Sequence, residues 1–253
     1  MKRLMIFVFV SVLTLSCQSR KYRAPENPEF LFNQAMELFN ARKFSKAAEL
    51  FRSFVFNYPL SDSVDDAQYY LAKSYKESER IDDATTEYLF LINTFPSSEF
   101  IEKAYLELAD CYLVKSKNVT RDTESLSQAQ SYLDQFKSRF PDSPLIDKAK
   151  ELEKNIYRLK GLKYTYIAES YLRIGEPKSA SVYLDIVQRE FQDDDSLLTL
   201  AKILSAQGLA MMGDCDSARK IMEQLEQSNA YNDRRLESQF NKAKKELQKR
   251  CQE

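Results

Sequence analysis

The chain has 253 residues, enough for one or two ordinary domains or one repeat array. Gly is held to 4 while Leu, Ala, Glu and Lys abound, a composition that favours helix. There is no His, which removes the commonest general base and metal ligand, and the formal net charge of −1 leaves no basic footprint for nucleic acid.

The chain opens on Lys2-Arg3, a basic pair, followed by the apolar run Leu4 to Leu15. Twelve residues are too few for a membrane-spanning helix, which needs about 20, and suit the apolar centre of an export signal. Leu13-Thr14-Leu15-Ser16-Cys17 then resembles a bacterial lipobox, cut before a cysteine that carries acyl chains. Thr14 departs from the usual Leu, and Thr14-x-Ser16 also fits an ordinary small-x-small cleavage site. By the same resemblance Gln18, rather than Asp, fits sorting to an outer membrane. Several acyl chains would hold the protein at a bilayer without a spanning helix. Gln18 to Asn27 is polar, contains Pro25 and reads as a tether.

From Pro28 onward apolar residues recur three and four apart in paired helical stretches. Ala35, Ala72, Ala109, Ala168 and Ala206 fall on successive first helices, at steps of 37, 37, 59 and 38 residues. Leu38, Tyr75, Tyr112, Tyr171 and Leu209 follow them by three. Second helices carry Ala47, Ala84, Ala129, Ala180 and Ala218, with Phe51, Tyr88, Leu133, Leu184 and Met222 four residues on. The small residues let two backbones approach closely.

The first pair closes at Tyr58-Pro59, the second at Phe95-Pro96 and the third at Phe140-Pro141, since proline cannot continue a helix. The third pair has a long polar connection, Lys115 to Ser125, read as a loop. Leu145 to Ile174 has no Pro and only Gly161, so one helix of about 30 residues, roughly 45 Å, is expected there. The fourth pair has Gln192 where a closing Pro would stand, and the fifth has Gly213 at its turn but no Pro. Asp233 to Glu253 reads as a terminal helix of net charge +3, best taken as a solvated cap.

This spacing resembles the tetratricopeptide repeat. The expected fold is all-α: a right-handed superhelical solenoid of about five tetratricopeptide-like helix pairs, with a long first helix in repeat 4 and a C-terminal capping helix. The expected organisation is a signal peptide over 1–16, a lipidated N-terminus and tether over 17–27, and a repeat array over 28–230. Its units lie near 28–61, 65–98, 102–143, 145–192 and 197–230, and the C-terminal helix covers 231–253.

No C-x-x-C pair exists, and without His no usual zinc set can be assembled. Beyond Cys17, the cysteines Cys111, Cys215 and Cys251 allow at most one intramolecular disulfide. A Cys215–Cys251 pair requires the terminal helix to fold back onto repeat 5, while Cys111, beside Tyr112, reads as buried and free. No Gly-rich phosphate loop, G-x-S-x-G motif or convincing carboxylate pair is present. Neither catalysis nor a cofactor or metal is expected.

Two features together narrow the match: the acylation site ahead of five repeat units, and the texture of their central part. FPSSEFIEKAYLELADCY leads through an inserted segment with Arg121-Asp122 to FKSRFPDSPLIDKAKELEKNIYRLKGLKYTYIAESYLRIGEPKSASVYLDIVQREF. Over about Glu26 to Asn229 the chain resembles the BamD family, lipoprotein partners in the outer-membrane β-barrel assembly machinery.

The resemblance implies a scaffold rather than an enzyme. It would be lipid-anchored at Cys17 in the outer membrane and face the periplasm. Its partners would be BamA, other subunits of the machinery and unfolded outer membrane proteins, recognised through their C-terminal segment. The competing reading is another periplasmic repeat lipoprotein, a protein–protein adaptor in cell-envelope or division machinery. Those tend to carry a coiled-coil N-terminal segment, and none is visible before Pro28.

In tetratricopeptide units two register positions of the first helix tend to face the concave side. Here they point to Phe32 and Met36, with Phe39 continuing the stripe, and to Tyr69 and Lys73, followed by Lys76. Aromatics beside lysines suit a peptide with an aromatic end and a free carboxylate. The alternative is that Phe32 and Phe39 are core. For BamA, the resemblance points to the C-terminal half and its charged residues; Arg121, Asp122, Glu169 and Arg173 are the candidates.

Overall fold

A computed structural model describes residues 27–118, 124–228, 231 and 233–251. Those residues form eleven helices and no strand. The pairs are α1 (Pro28–Asn40) with α2 (Phe44–Asn57), α3 (Val64–Glu77) with α4 (Ile81–Thr94), and α5 (Ile101–Asn118) with α6 (Glu124–Arg139). They continue with α7 (Ile146–Arg173) and α8 (Pro177–Glu190), then α9 (Asp195–Met212) and α10 (Cys215–Ser228), and end on α11 (Arg234–Arg250). Each helix packs on its successor, α7 also touches α9, and α11 lies mainly against α9.

The turns inside the pairs show why the repeat exists. In the four turns that lie wholly among the described residues, the chain reverses through one left-handed residue: Arg42, Glu79, Gly175 or Gly213. Each time an N–H just beyond that residue bonds back to the carbonyl of the register residue that follows the first-helix alanine by three. Lys43 donates to Leu38, Arg80 to Tyr75, Glu176 to Tyr171 and Asp214 to Leu209, at 2.9–3.0 Å. This helix-ending motif satisfies the orphan carbonyls. Gly175 and Gly213 adopt the left-handed turn without a Cβ clash, whereas Arg42 and Glu79 carry its strain.

Helix starts are capped by side chains where the sequence supplies them. Asn27 accepts from the N–H groups of Glu29 and Phe30 ahead of Pro28, Asp194 from Leu197, and Asp233 from Arg235. The missing proline at Gln192 does not prolong α8. Phe191 is buried against the ring of Tyr157 at 4.5 Å, and Asp194 starts the next helix at once.

The alanine register is the spine of the core. Ala35, Ala72, Ala109 and Ala168 on first helices, and Ala47, Ala84, Ala129, Ala180 and Ala218 on second helices, are wholly buried. Two hydrophobic clusters result. The first runs from Leu31 to Ile156 and the second from Ala168 to Ala243. The long helix α7 joins them: Ala149, Leu152 and Ile156 lie in one, Ala168 and Leu172 in the other.

One expectation is corrected in detail, and the pairing left open for the cysteines is resolved. The expected loop at Lys115 begins later, because α5 continues through Asn118. Cys215 and Cys251 form a disulfide, Cα to Cα 5.7 Å, because α11 folds back along α9 and ends beside the start of α10. Cys111 is buried and unpaired, and burial pushes its thiol up to about 12.

Candidate functional site

The first helices place equivalent residues one repeat apart, so surface and core can be read as columns. The position after each register alanine carries Met36, Lys73, Asp110, Glu169 and Gln207, and every one of these is partly exposed. The position three before each alanine carries Phe32, Tyr69, Leu106, Thr165 and Ile203. There only Phe32 is partly exposed; the other four are buried. Of the two sequence-derived groove positions, one therefore stays partly exposed in every repeat, and the other, apart from Phe32, faces the packing between helices.

This corrects Tyr69. Its ring is 3% exposed and stacks on Phe100, centroids 4.4 Å apart, because the turn into α5 lays Phe100 across it. Burial pushes the Tyr69 phenol above its ordinary range. Lys73 reaches back over that ring, Nζ 5.8 Å from the centroid. It has no acidic partner among the described residues.

Phe32 meets Phe51 and Phe54 edge-on at 5.8 and 5.6 Å, and Phe39 sits between Phe44 and Tyr70 at 5.3 and 5.2 Å. Both have one flank in the core of the first two pairs and one flank open; Met36 is likewise partly buried.

Lys76 is also corrected. Its ammonium is held by Glu107 and Asp110 of α5, so it is not free to receive a peptide carboxylate. Burial alone would lower the Lys76 ammonium, but the two carboxylates raise it instead. The signal that could have found this is the register itself. Asp110 occupies in α5 the place of Lys73 in α3, and Glu107 lies one turn earlier on the same face.

Of the four residues assigned to the BamA surface, Arg121 and Asp122 lie outside the described residues. Glu169 is tied inward: it accepts from Gln239 at 3.1 Å and faces Lys242 at 3.6 Å, both on α11. Arg173 lies 3.8 Å from the same carboxylate and stays exposed. Beside Arg173 opens a cleft of about 470 Å³ lined by Tyr166, Tyr171, Ile174 and Tyr183, with the Tyr171 and Tyr183 rings stacked at 5.8 Å. Ile174 protrudes into solvent at its rim. Sequence reasoning named Arg173 but missed this aromatic cleft, which the turn between α7 and α8 assembles. Cys17 lies outside the described residues.

No group of acidic or cysteine side chains among the described residues is arranged to hold a metal ion, and no described helix is long and apolar enough to cross a membrane.

A family model described as "YfiO: Outer membrane lipoprotein" matches residues 25–211. The chain belongs to the YfiO family. This is the BamD family that the sequence resembles, and it places the protein at the outer membrane as a lipoprotein. The YfiO family consists of repeat scaffolds that are generally non-catalytic. No curated protein matches the chain.

Among solved structures, a thermophilic TPR protein of Thermus thermophilus aligns at 19% identity and a TM-score of 0.39, over 86% of this chain and 98% of that one. A structure of nearly identical TPR-like repeats from Podosopora anserina aligns at 15% identity and a TM-score of 0.38, over 80% and 95%.

Proposed function

We propose that this YfiO-family chain is a periplasmic scaffold of the β-barrel assembly machinery, held to the outer membrane by acyl chains on Cys17. Residues 1–16 are its signal peptide and 17–27 its tether. It binds BamA through the C-terminal half, where Arg173 and the aromatic cleft are exposed, with Arg121 and Asp122 as further contacts. It receives the C-terminal segment of unfolded outer membrane proteins on the first-helix face of the N-terminal half.

The observation that carries the reading is that Met36 and Lys73, at one register position on successive first helices, both stay partly exposed, while the neighbouring position is buried from Tyr69 onward. A solenoid that repeats one surface position along its axis offers an extended ligand a regular series of contacts. Within it Met36 supplies an adaptable apolar contact and Lys73 an ammonium for a terminal carboxylate. Both keep enough surface to meet a peptide, unlike Tyr69 and Lys76.

The test is binding of a synthetic peptide that copies the C-terminal strand of an outer-membrane barrel, with an aromatic last residue and a free carboxylate. Met36→Ser with Lys73→Glu should weaken it at least tenfold, about 1.4 kcal/mol, while the helical spectrum is unchanged. Equal affinity in the folded variant would remove the peptide groove from the account.

A further inference from the structure

Seven large apolar side chains are exposed among the described residues, and they are not spread evenly. Three of them, Phe30, Phe56 and Leu60, at 62%, 83% and 96% exposure, belong to the first repeat and the turn that follows it. Helices α1 and α2 run antiparallel: Phe39 lies by Phe44 at one end of the pair, and Phe32 by Phe54 at the other. Phe30 at the start of α1, Phe56 at the end of α2 and Leu60 in the turn just beyond therefore lie at one end of the first repeat, which forms an edge of the fold. None of the three is needed by the core, which closes over Leu31, Phe51 and Phe54.

The same edge is where the chain enters the fold. Asn27 caps α1, and Cys17 precedes it by only ten residues. A chain of that length spans at most about 35 Å even when fully extended. The segment between them carries Arg20, Lys21 and Arg23 against the single acid Glu26. Basic residues next to a lipid anchor are drawn to anionic headgroups, and Phe and Leu side chains insert at the boundary between headgroups and acyl chains. Anchor, basic tether and apolar edge thus follow one another in sequence, and the edge is the part of the fold that the short tether keeps nearest the bilayer.

We propose that the edge bearing Phe30, Phe56 and Leu60 seats in the interfacial region of the phospholipid leaflet that holds the anchor. It orients the first repeat against the membrane rather than letting the solenoid swing on its tether. This inference rests on the reading of Cys17 as the acylated residue.

The chain has no Trp, so single-Trp variants report one place each. The acylated full-length chain would be reconstituted on vesicles of phosphatidylethanolamine and phosphatidylglycerol with brominated acyl chains. Phe56→Trp should show a blue shift on membrane attachment and lose emission to the bromines. Val182→Trp, likewise exposed in solution but on α8, should show neither. Flotation with the vesicles, compared with Cys17→Ser, reports the anchor independently. A chain that floats while Phe56→Trp stays solvent-exposed would overturn the membrane seating and leave the anchor standing. Cys17→Ser floating as well as the parent would overturn the anchor. Shielding of Phe56→Trp only on addition of other assembly-machinery subunits would give this edge to a protein partner and also overturn the proposal.

Discussion

Lys76 on α3 and Lys148 on α7 meet opposite oxygens of the Glu107 carboxylate on α5, with Lys148 Nζ at 3.1 Å. One buried acid therefore ties three successive first helices. Replacing Lys76 by Met leaves that acid with one cation, and that one is largely exposed. Breaking a buried pair by removing one partner costs about 3–5 kcal/mol, and the remaining Lys148 places the loss near the lower end. Urea denaturation measures it. A loss below about 1 kcal/mol, the scale of a surface ion pair, would contradict the arrangement.

The same group sets an acid limb to stability. Burial alone would raise the Glu107 carboxyl, but the Lys76 and Lys148 ammoniums hold it below its ordinary 4.5. A depressed folded value means stability is fully present above 4.5 and is lost as the pH falls through the lower folded value. Denaturation midpoints taken across that window should fall with acidity in the parent. The fall should be shallower in Glu107→Gln. An identical slope in both would show that the network does not govern the acid limb.

The disulfide should act locally. Cys215 and Cys251 are 36 residues apart in sequence, and chain entropy for such a loop gives at most about 4 kcal/mol. In a solenoid that stabilisation reaches nearest neighbours first. Cys251→Ser should raise amide exchange in α10 and α11 while α1 to α4 keep their protection. Uniform loss along the whole chain would contradict a local clamp.

Gly161 is a packing glycine in the middle of α7. A Cβ built there would lie 2.5 Å from Leu197 Cδ1 and 3.0 Å from Phe191 Cδ1, both on buried side chains. Overpacking costs about 1–3 kcal/mol, and the better helix propensity of Ala offsets about 1. Gly161→Ala should therefore destabilise by up to about 2 kcal/mol. Gly208→Ala, whose Cβ would meet the side-chain end of Leu172 at 3.3 Å and Pro177 Cβ at an ordinary 3.9 Å, should be neutral or slightly stabilising. Equal denaturation midpoints for the two variants would mean that α7 and α9 are less tightly docked than described.

The helices were legible because their signals are local. The register alanines, the aromatic-proline closures and the uninterrupted run of α7 each report on a few neighbouring residues, and the structure reproduces them within a residue or two. What escaped the sequence depends on a second repeat. Tyr69 reads as a surface aromatic until Phe100, in the turn before α5, covers it. Lys76 reads as a free cation until Glu107 and Asp110 reach it from the next first helix. Glu169 reads as a surface acid until α11 folds back to bring Gln239 and Lys242 against it. Periodicity says which face of a helix turns inward, but not which side chain of a neighbouring repeat covers it.

The role proposed for this chain is that of a BamA-binding scaffold. Its most direct measurement is affinity purification of the tagged, acylated chain from detergent-solubilised outer membranes, with BamA recovery quantified for the parent and for Arg173→Glu. The proposed role predicts that BamA co-purifies with the parent and that its recovery falls at least fivefold with Arg173→Glu, about 1 kcal/mol, at unchanged helicity. Purification of the intact membrane-bound chain without BamA would contradict it.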